Sequence, residues 1–201
     1  MVVIVDYGVG NLMAIQNIIR KVGGESVVSS EPEIISQAHK LILPGVGAFG
    51  YCAQQLKSRN LIPVLQQEVL QKKKLVLGLC VGAQLMTSGS EESPEEGLGW
   101  VSARTVKFNM DVVPIVPHMG WRDVHFNGQL PLSKGFEEGA RFYFVHSYHF
   151  QFSRPEEVLA TAHYGYDFAC AFQKENILGV QFHPEKSHRF GMKLFENFLE
   201  I

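Results

Sequence analysis

The 201-residue sequence predicts an α/β fold, in which a parallel sheet is covered by helices on both faces and extended by mixed or antiparallel strands. Two observations support this class. In the first half of the chain, short β-branched runs alternate with stretches of helical apolar spacing, which is the rhythm of βαβ units. From Trp100 onward, strand-like runs follow one another with few helices between them. The length fits one domain covering residues 1–201.

The first half is predicted to contain four strands separated by helices. The strands are residues 2–6 (VVIVD), 26–29 (SVVS), 40–43 (KLIL) and 75–79 (LVLGL). Apolar residues at helical spacing over 12–22 predict the first helix, a capped segment from Ser30 predicts the second, and a longer helical stretch runs through residue 71. Because the runs are continuously apolar, we expect a sheet that is buried on both faces.

The second half is predicted to be mostly strands. They are residues 101–108 (VSARTVKF), 141–148 (RFYFVHSY), 158–164 (VLATAHY), 168–173 (FACAFQ) and 177–182 (ILGVQF). A closing amphipathic helix is expected over about 188–199. Residues 88–97 (SGSEESPEEG) are predicted to form an acidic surface loop.

Composition excludes several classes of function. The net charge of −2 gives no basic surface for nucleic acid or an anionic membrane. No apolar run approaches the roughly 20 residues that span a bilayer, and the first residues lack the pattern of a signal peptide. Three cysteines without a CxxC spacing argue against a disulfide framework or a zinc ribbon. We expect a cytoplasmic protein without a metal ion.

The most informative motif is Gly78-Leu-Cys80-Val-Gly82, at the end of the fourth predicted strand. It has the layout of the Gly-x-Ser-x-Gly elbow, in which a nucleophile sits on a sharp strand-to-helix turn. A cysteine at the start of the following helix is favoured as a thiolate. The alternative is a structural cysteine packed at a glycine-rich strand end, and this motif alone does not decide between the two.

A second motif, His183-Pro-Glu185, supplies the partners that a nucleophile needs. The residue before proline is held extended, so we expect His183 and Glu185 to lie on the same side of the chain. The alternative is a solvated turn after a strand. Together with the elbow, the pair predicts a Cys-His-Glu triad.

Such a triad needs donors for the oxyanion of its tetrahedral intermediate. The N–H of Val81, directly after the candidate nucleophile, is one candidate. The glycine-rich segment 43–50 (LPGVGAFG) is the second, because glycines let backbone N–H groups approach a ligand closely.

The same segment also matches the G-x-G-x-x-G fingerprint of dinucleotide-binding proteins, from Gly45 to Gly50. A true fingerprint needs a second strand that ends in an acidic residue about 20 positions later. Glu68 has this spacing but lies in a helical stretch. We therefore expect no nucleotide cofactor.

Taken together, the motifs resemble the class I (triad) glutamine amidotransferases and, within them, the HisH-like glutaminase subunits of imidazole glycerol phosphate synthase. The resemblance extends over nearly the whole chain, through VDYGVGNL, LPGVGAFG, GLCVGAQLM, GLGW, PHMGW, YFVHSY and GVQFHPEKS. It implies the three-layer fold of that class, with a flavodoxin-like parallel sheet.

The resemblance also implies the role of each site residue. Cys80 attacks the side-chain amide of glutamine, His183 relays the proton to the leaving ammonia, Glu185 orients His183, and a glutamyl thioester is then hydrolysed. The implied oxyanion loop is 44–47, in which the Val46 peptide reorients to complete the hole. The implied oxyanion-hole residues are Val46, Gly47 and Val81, and the implied glutamine-binding residues are Gln84, Glu92, Ser147 and Tyr148.

A (β/α)8-barrel cyclase is the partner that the resemblance implies. The two subunits form a heterodimer, and the ammonia is channelled to the barrel, which makes imidazole glycerol phosphate and AICAR in histidine biosynthesis. The implied interface residues are Asn11, His118, Met119, Trp121, Arg122, Tyr143 and His146. By composition alone, Trp121, Tyr143 and His146 fit a core equally well.

Three residues depart from the usual pattern of the family: Arg122 stands where Asn is usual, Trp100 replaces a smaller aliphatic residue, and Arg141 opens a strand that is often aromatic there. These departures bear on the partner more than on the triad. Two alternatives therefore stay open, namely a paralogous glutaminase that supplies ammonia to aminate a nucleotide sugar for surface polysaccharide, and a non-catalytic scaffold that activates a barrel partner.

Overall fold

The computed structural model describes residues 1–128, 130–136 and 139–201. Within these ranges the helices are α1 (Leu12–Lys21), α2 (Pro32–Gln37), α3 (Phe49–Ser58), α4 (Ile62–Gln66), α5 (Val81–Leu85) and α6 (His188–Glu200). The strands are β1 (Val2–Val5), β2 (Ser26–Ser29), β3 (Lys40–Leu43), β4 (Leu75–Leu79), β5 (Gly89–Ser90), β6 (Ser93–Glu96), β7 (Ala103–Lys107), β8 (His118–Phe126), β9 (Ala140–His146), β10 (Tyr148–Phe152), β11 (Val158–Tyr164), β12 (Tyr166–Lys174) and β13 (Ile177–Val180).

Five parallel strands form one half of the sheet, in the order β2-β1-β3-β4-β13. This is the flavodoxin-like order, with β13 in the place of the fifth strand. In the register of β4 and β13, Leu79 is paired with Val180. The residues that follow these two strands therefore leave the sheet side by side at its carboxyl edge, which is where sites form in such sheets.

The other half of the sheet is mostly antiparallel. It continues from β13 through β12, β10 and β7 to the short β5 and β6, and a branch runs from β12 through β11 and β8 to β9. The predicted extension of a parallel sheet by mixed strands is confirmed. Strand β8 was not predicted, and it carries much of the expected partner surface.

Helices cover both faces of the parallel half, which confirms the three-layer fold. On one face α1 and α6 bury Ile15, Ile19 and Phe195 against the sheet. On the other, α2 to α5 bury residues such as Ile35 and Leu65. These two cores follow from the continuously apolar strands, all four residues of β1 being buried. No helix in the described ranges is long and apolar enough to cross a membrane.

Three local predictions differ from the structure. The acidic segment 88–97 is not a simple loop, because β5 and β6 form a small hairpin there that buries Ser90. Helix α2 begins at Pro32 without a side-chain cap, since the nearby hydroxyl of Ser29 accepts from the N–H of Glu31 instead. The helical stretch to residue 71 breaks at Asn60, whose φ is +55°.

Candidate active site

Cys80 lies on the sharp turn that its motif predicts. Strand β4 ends at Leu79, helix α5 begins at Val81, and Cys80 between them has a φ of +51°, which is rare for a residue with a side chain. Such strain persists where the surroundings hold it, and it is found mostly at functional sites. The Cys80 N–H is fixed on the Val180 carbonyl at 2.8 Å, and the residue is only 3% exposed.

The glycines beside Cys80 permit a close approach of two backbones. A Cβ on Gly82 would overlap the carbonyl oxygen of Leu43, and a Cβ on Gly45 would overlap the backbone nitrogen of Gly82. A Cβ on Gly78 would lie 2.6 Å from the Cα of Ala83. The flanking glycines therefore let the elbow pack directly against the segment that the sequence predicts as the oxyanion loop.

His183 and Glu185 lie together beside Cys80, as predicted. His183 Nδ1 is 2.8 Å from Glu185 Oε1, and both side chains are buried. The carboxylate can only accept, so Nδ1 carries the hydrogen and Nε2 is left for the sulfur of Cys80. The second oxygen of Glu185 has no hydrogen-bond partner among the described residues.

The electrostatics favour a charged His183. Burial by itself lowers the pKa of the imidazole, but the hydrogen bond and charge of Cys80, with those of Glu185, outweigh it and raise the pKa to about 10. A raised pKa favours the protonated imidazole, which can give its Nε2 proton to a leaving group.

A pocket of about 290 Å³ opens over these groups. Cys80 and His183 line it, and so do all the residues predicted for the oxyanion hole and for glutamine binding: Val46, Gly47, Val81, Gln84, Glu92, Ser147 and Tyr148. These residues come from five separate segments of the chain. The structure thus brings together in one cavity the residues that the motifs selected separately.

The segment predicted to be the oxyanion loop (44–47) accepts hydrogen bonds from two side chains. The hydroxyl of Tyr7 donates to the Pro44 carbonyl, and the thiol of Cys52 donates to the Val46 carbonyl at 3.4 Å. Because the Val46 carbonyl is turned toward Cys52, the N–H of the same trans peptide, on Gly47, points away from Cys52. Burial raises the pKa of the Cys52 thiol to about 11, so the thiol keeps the proton that it donates.

Glu92 connects the substrate pocket to α3. Its Oε2 accepts from the N–H of Phe49, the first residue of that helix, at 2.8 Å. Burial and the negative charge of Glu92 raise the pKa of Tyr148 on the other wall. A fixed carboxylate at this position is suited to an ammonium group of a ligand.

A buried histidine pair, His118 and His146, adjoins the pocket, and His146 lines it. His146 Nδ1 is 2.8 Å from the Tyr148 carbonyl, and His146 Nε2 is 2.9 Å from His118 Nδ1. Since a carbonyl only accepts, His146 carries its hydrogen on Nδ1, and His118 must donate from Nδ1. This assignment leaves His118 Nε2 as a buried lone pair without a partner among the described residues.

Six of the seven predicted interface residues lie on the neighbouring strands β8 and β9, and Asn11 precedes α1. Met119, on β8, is 59% exposed and is paired with Val145, which lines the pocket. Trp121 and Tyr143 are paired across β8 and β9 and are half-buried. Asn11 is exposed and Arg122 half-buried, whereas His118 and His146 lie below the surface.

The sequence analysis missed two residues at the site. Lys186 lines the pocket directly after Glu185, and its position beside the triad motif was the available signal. Gln181 is fully buried, and its Nε2 lies 3.7 Å from the Cys80 sulfur. The strand period of two places Gln181 on the same side as His183, which could have identified it.

Comparisons with known proteins identify the family of the chain. The family model "Glutamine amidotransferase class-I" matches residues 3–201. Two relatives named "Imidazole glycerol phosphate synthase subunit HisH 2" are similar over their whole length. The one from Methanococcus maripaludis is 48% identical, over 100% of this chain and 99% of the relative. The one from Pseudomonas aeruginosa is 45% identical, over 100% of both.

Solved structures show the same fold at low sequence identity. "Crystal structure of glutamine amidotransferase" has a TM-score of 0.74 and 20% identity, and the match covers 97% of this chain and 99% of that one. "Structure of PurLQS from Thermotoga maritima" has a TM-score of 0.74 and 17% identity, with coverage of 99% and 97%.

Proposed function

The chain belongs to the class I glutamine amidotransferase family, and on this premise we propose that it is the glutaminase subunit of a two-subunit synthase, with Cys80 as its nucleophile. The observation that carries the proposal is the strained Cys80 elbow facing the His183–Glu185 pair in one pocket. The full-length similarity to subunits of imidazole glycerol phosphate synthase supports the same conclusion.

The first half of the reaction forms a thioester. The Cys80 thiolate attacks the Cδ carbon of glutamine, and the carbonyl oxygen becomes an oxyanion that accepts from the N–H of Val81 and from the oxyanion loop. The imidazolium of His183 gives its Nε2 proton to the amide nitrogen. The C–N bond then breaks, ammonia leaves, and His183 becomes neutral.

The second half hydrolyses the thioester. Neutral His183 takes a proton from water, and the resulting hydroxide adds to the thioester carbon. The C–S bond breaks, the thiolate and imidazolium are restored, and the γ-carboxyl group of glutamate is released and loses its proton to solvent. Glu185 keeps the imidazole in one orientation throughout through its 2.8 Å hydrogen bond.

Glutamine is held by groups on opposite walls of the pocket. Glu92 offers a carboxylate for the α-ammonium group, and the backbone around Ser147 and Tyr148 offers further polar contacts. Gln84 donates through Nε2 to two protein acceptors, which leaves its Oε1 to accept from the substrate. This division of charge fits an amino acid whose side-chain amide points at Cys80.

We propose that the ammonia passes to a (β/α)8-barrel cyclase that docks at the pocket mouth. Exposed Met119 and the half-buried Trp121 and Tyr143 offer apolar surface there, and exposed Asn11 offers a polar contact. Docking over the mouth excludes water and bulk protons, so ammonia crosses unprotonated. Imidazole glycerol phosphate synthesis in histidine biosynthesis is the acceptor reaction that the relatives' names support.

A second acceptor is favoured by two observations. Several relatives carry a number in their names, such as HisH 2 in Pseudomonas aeruginosa and HisH 1 in Campylobacter jejuni, as expected where one organism has more than one such subunit. Arg122 also adds a cation to the proposed docking surface. A paralogous pair that aminates a nucleotide sugar is therefore the alternative function.

Two experiments test the proposal. Cys80→Ala should abolish glutaminase activity and retain the fold and partner binding, whereas Cys170→Ala, the matched change in the core, should retain activity. Full activity in Cys80→Ala would contradict the role of Cys80 as the nucleophile. A wild-type chain that never hydrolyses glutamine in complex with a barrel partner would instead favour a scaffold.

The acceptor is identified with the partner present. Glutamine-dependent formation of imidazole glycerol phosphate by the complex supports the histidine pathway, and formation of an aminated nucleotide sugar supports the alternative. We also expect the isolated subunit to turn over glutamine slowly, because the Val46 peptide completes the oxyanion hole only in the complex. Equal turnover with and without the partner contradicts this expectation.

A further inference from the structure

Gln181 lies between the catalytic elbow and the triad histidine. It follows β13 just as Cys80 follows β4, and the register of these strands makes the two residues neighbours. The backbone of Gln181 is fixed, because its N–H donates to the Cys170 carbonyl at 2.8 Å. The side chain is fully buried, so its amide must find partners inside the protein.

The orientation of this amide is determined by a chain of hydrogen bonds that begins at a backbone carbonyl. The Tyr148 carbonyl only accepts, so the Gln84 atom that lies 3.3 Å from it is the NH2 group. The same NH2 group is 3.0 Å from the Gln181 amide, which must present its oxygen there. The Nε2 of Gln181 is therefore the atom that faces the Cys80 sulfur at 3.7 Å.

The Tyr148 carbonyl, at which this chain of hydrogen bonds begins, is itself held in place. His146 donates to the Tyr148 carbonyl at 2.8 Å and receives a hydrogen bond from His118. Both histidines are buried, and burial lowers the pKa of His146 well below its usual value, so the ring stays neutral. The amide of Gln181 is thus pointed at the sulfur by a buried network with no alternative donor arrangement.

We propose that Gln181 is a catalytic residue whose Nε2–H donates to the sulfur of Cys80 and stabilises the thiolate. The proposal rests on the function proposed above for Cys80. A thiolate accepts hydrogen bonds more strongly than a thiol, so the contact favours the reactive form. The same N–H meets the sulfur again when the C–S bond breaks and the thiolate leaves the thioester.

The variant Gln181→Met removes the donor and keeps an unbranched side chain of similar length in the core. Gln181→Glu removes the donor but keeps an oxygen for the Gln84 amide, and it serves if the methionine variant does not fold. Gln173→Met is the matched control, because Gln173 lies on β12 and its Nε2 donates to the Glu175 carbonyl. Circular dichroism and thermal melts verify that each variant folds.

The measurement is the rate of Cys80 alkylation by iodoacetamide as a function of pH, together with steady-state glutaminase kinetics of the complex with the partner. Besides Cys80, the ionisable groups that interact with this site or line the same pocket are these: His183, Glu185, Tyr7, Cys52, Glu92, His146, Tyr148 and Lys186. None of them is altered in these variants. A role confined to packing would change the melting temperature but not the pH profile.

We expect Gln181→Met to slow Cys80 alkylation at pH 6.5 by about tenfold and to move the profile to higher pH, as for loss of a hydrogen bond to a charged group. The value of kcat should fall by a similar factor, while KM changes by less than about twofold. Gln181→Glu should be slower still, because it places a second negative charge beside the sulfur. Gln173→Met should match wild type.

The possible failures are distinguishable. If wild-type Cys80 reacts no faster than Cys52 and Cys170, the function proposed for Cys80 is wrong. If wild-type Cys80 is reactive and a folded Gln181 variant has the same profile and the same kcat, only the inference about Gln181 is overturned.

Discussion

Lowering the pH from 7.5 to 5.0 is expected to destabilise the folded chain by about 2 kcal/mol through one buried histidine, His118. Its ring lies between Phe144, at 5.2 Å, and Tyr164, at 4.1 Å between ring centroids, and it is fully buried. Burial, with a smaller contribution from the charge of Arg122, lowers the pKa of His118 to about 4.

The sign and size of this loss of stability follow from the pKa of His118 in the folded and in the unfolded chain. In the unfolded chain His118 titrates near pH 6.5. Between pH 6.5 and pH 4 the unfolded chain binds a proton that the folded chain does not, so the free energy of unfolding falls as the pH is lowered through this range. The difference between the two pKa values corresponds to about 3 kcal/mol of unfolding free energy, of which about 2 kcal/mol is lost by pH 5.

The assay is urea denaturation of wild type and His118→Asn at both pH values. Asparagine can place its amide nitrogen near the position of Nδ1, so it can still donate to His146, but it does not titrate. His118→Asn is less stable at both pH values because it loses ring packing, yet its stability should fall by about 2 kcal/mol less on acidification. Equal losses in the two proteins would refute the assigned burial of a neutral His118.

Three further changes probe the site. Glu185→Gln should lower kcat by about 10²-fold to 10⁴-fold, because His183 loses the carboxylate that orients it; a kcat near wild type argues against the triad. Gly82→Ala should destabilise the chain by about 1–3 kcal/mol and reduce activity, since the new methyl group overlaps the Leu43 carbonyl; a melting temperature and activity like wild type contradict this packing. Tyr7→Phe should cost about 1 kcal/mol in urea denaturation and slow turnover, because it frees a carbonyl of the oxyanion loop; unchanged stability and kcat speak against that role.

Much of the parallel half was predictable because its signals are local. Strands β2, β3 and β4 have the bounds that the sequence predicts, and β3 and β4 are almost wholly buried, as expected for apolar runs in a sheet that is covered on both faces. The elbow was also predictable, because its glycines stand where a Cβ atom would overlap neighbouring backbone atoms. His183 is extended before Pro184, as predicted, but Glu185 reaches it through a 3-10 turn (Pro184–Lys186) and not along a continued strand.

Features set by long-range pairing were harder to predict. Strand β8 mixes exposed and half-buried residues, because it lies in a branch of the sheet where one face is only partly covered. The acidic segment 88–97 became a hairpin because β7 offers it an edge, which its own composition does not reveal. The contact of Gln181 with Cys80 depends on the register of β4 and β13 and on the orientation of Gln84. Neither can be predicted from the residues next to Gln181 in the sequence.

Covalent labelling by a glutamine-like electrophile tests Cys80 as the nucleophile, with the folded chain in complex with its partner and with peptide mass spectrometry as the readout. We expect one label, on Cys80, with loss of glutaminase activity in proportion to labelling and protection by glutamine. Buried Cys52 and Cys170 should stay unmodified. Full activity after complete labelling of Cys80, or a label that inactivates from another residue and leaves Cys80 free, would contradict this role of Cys80.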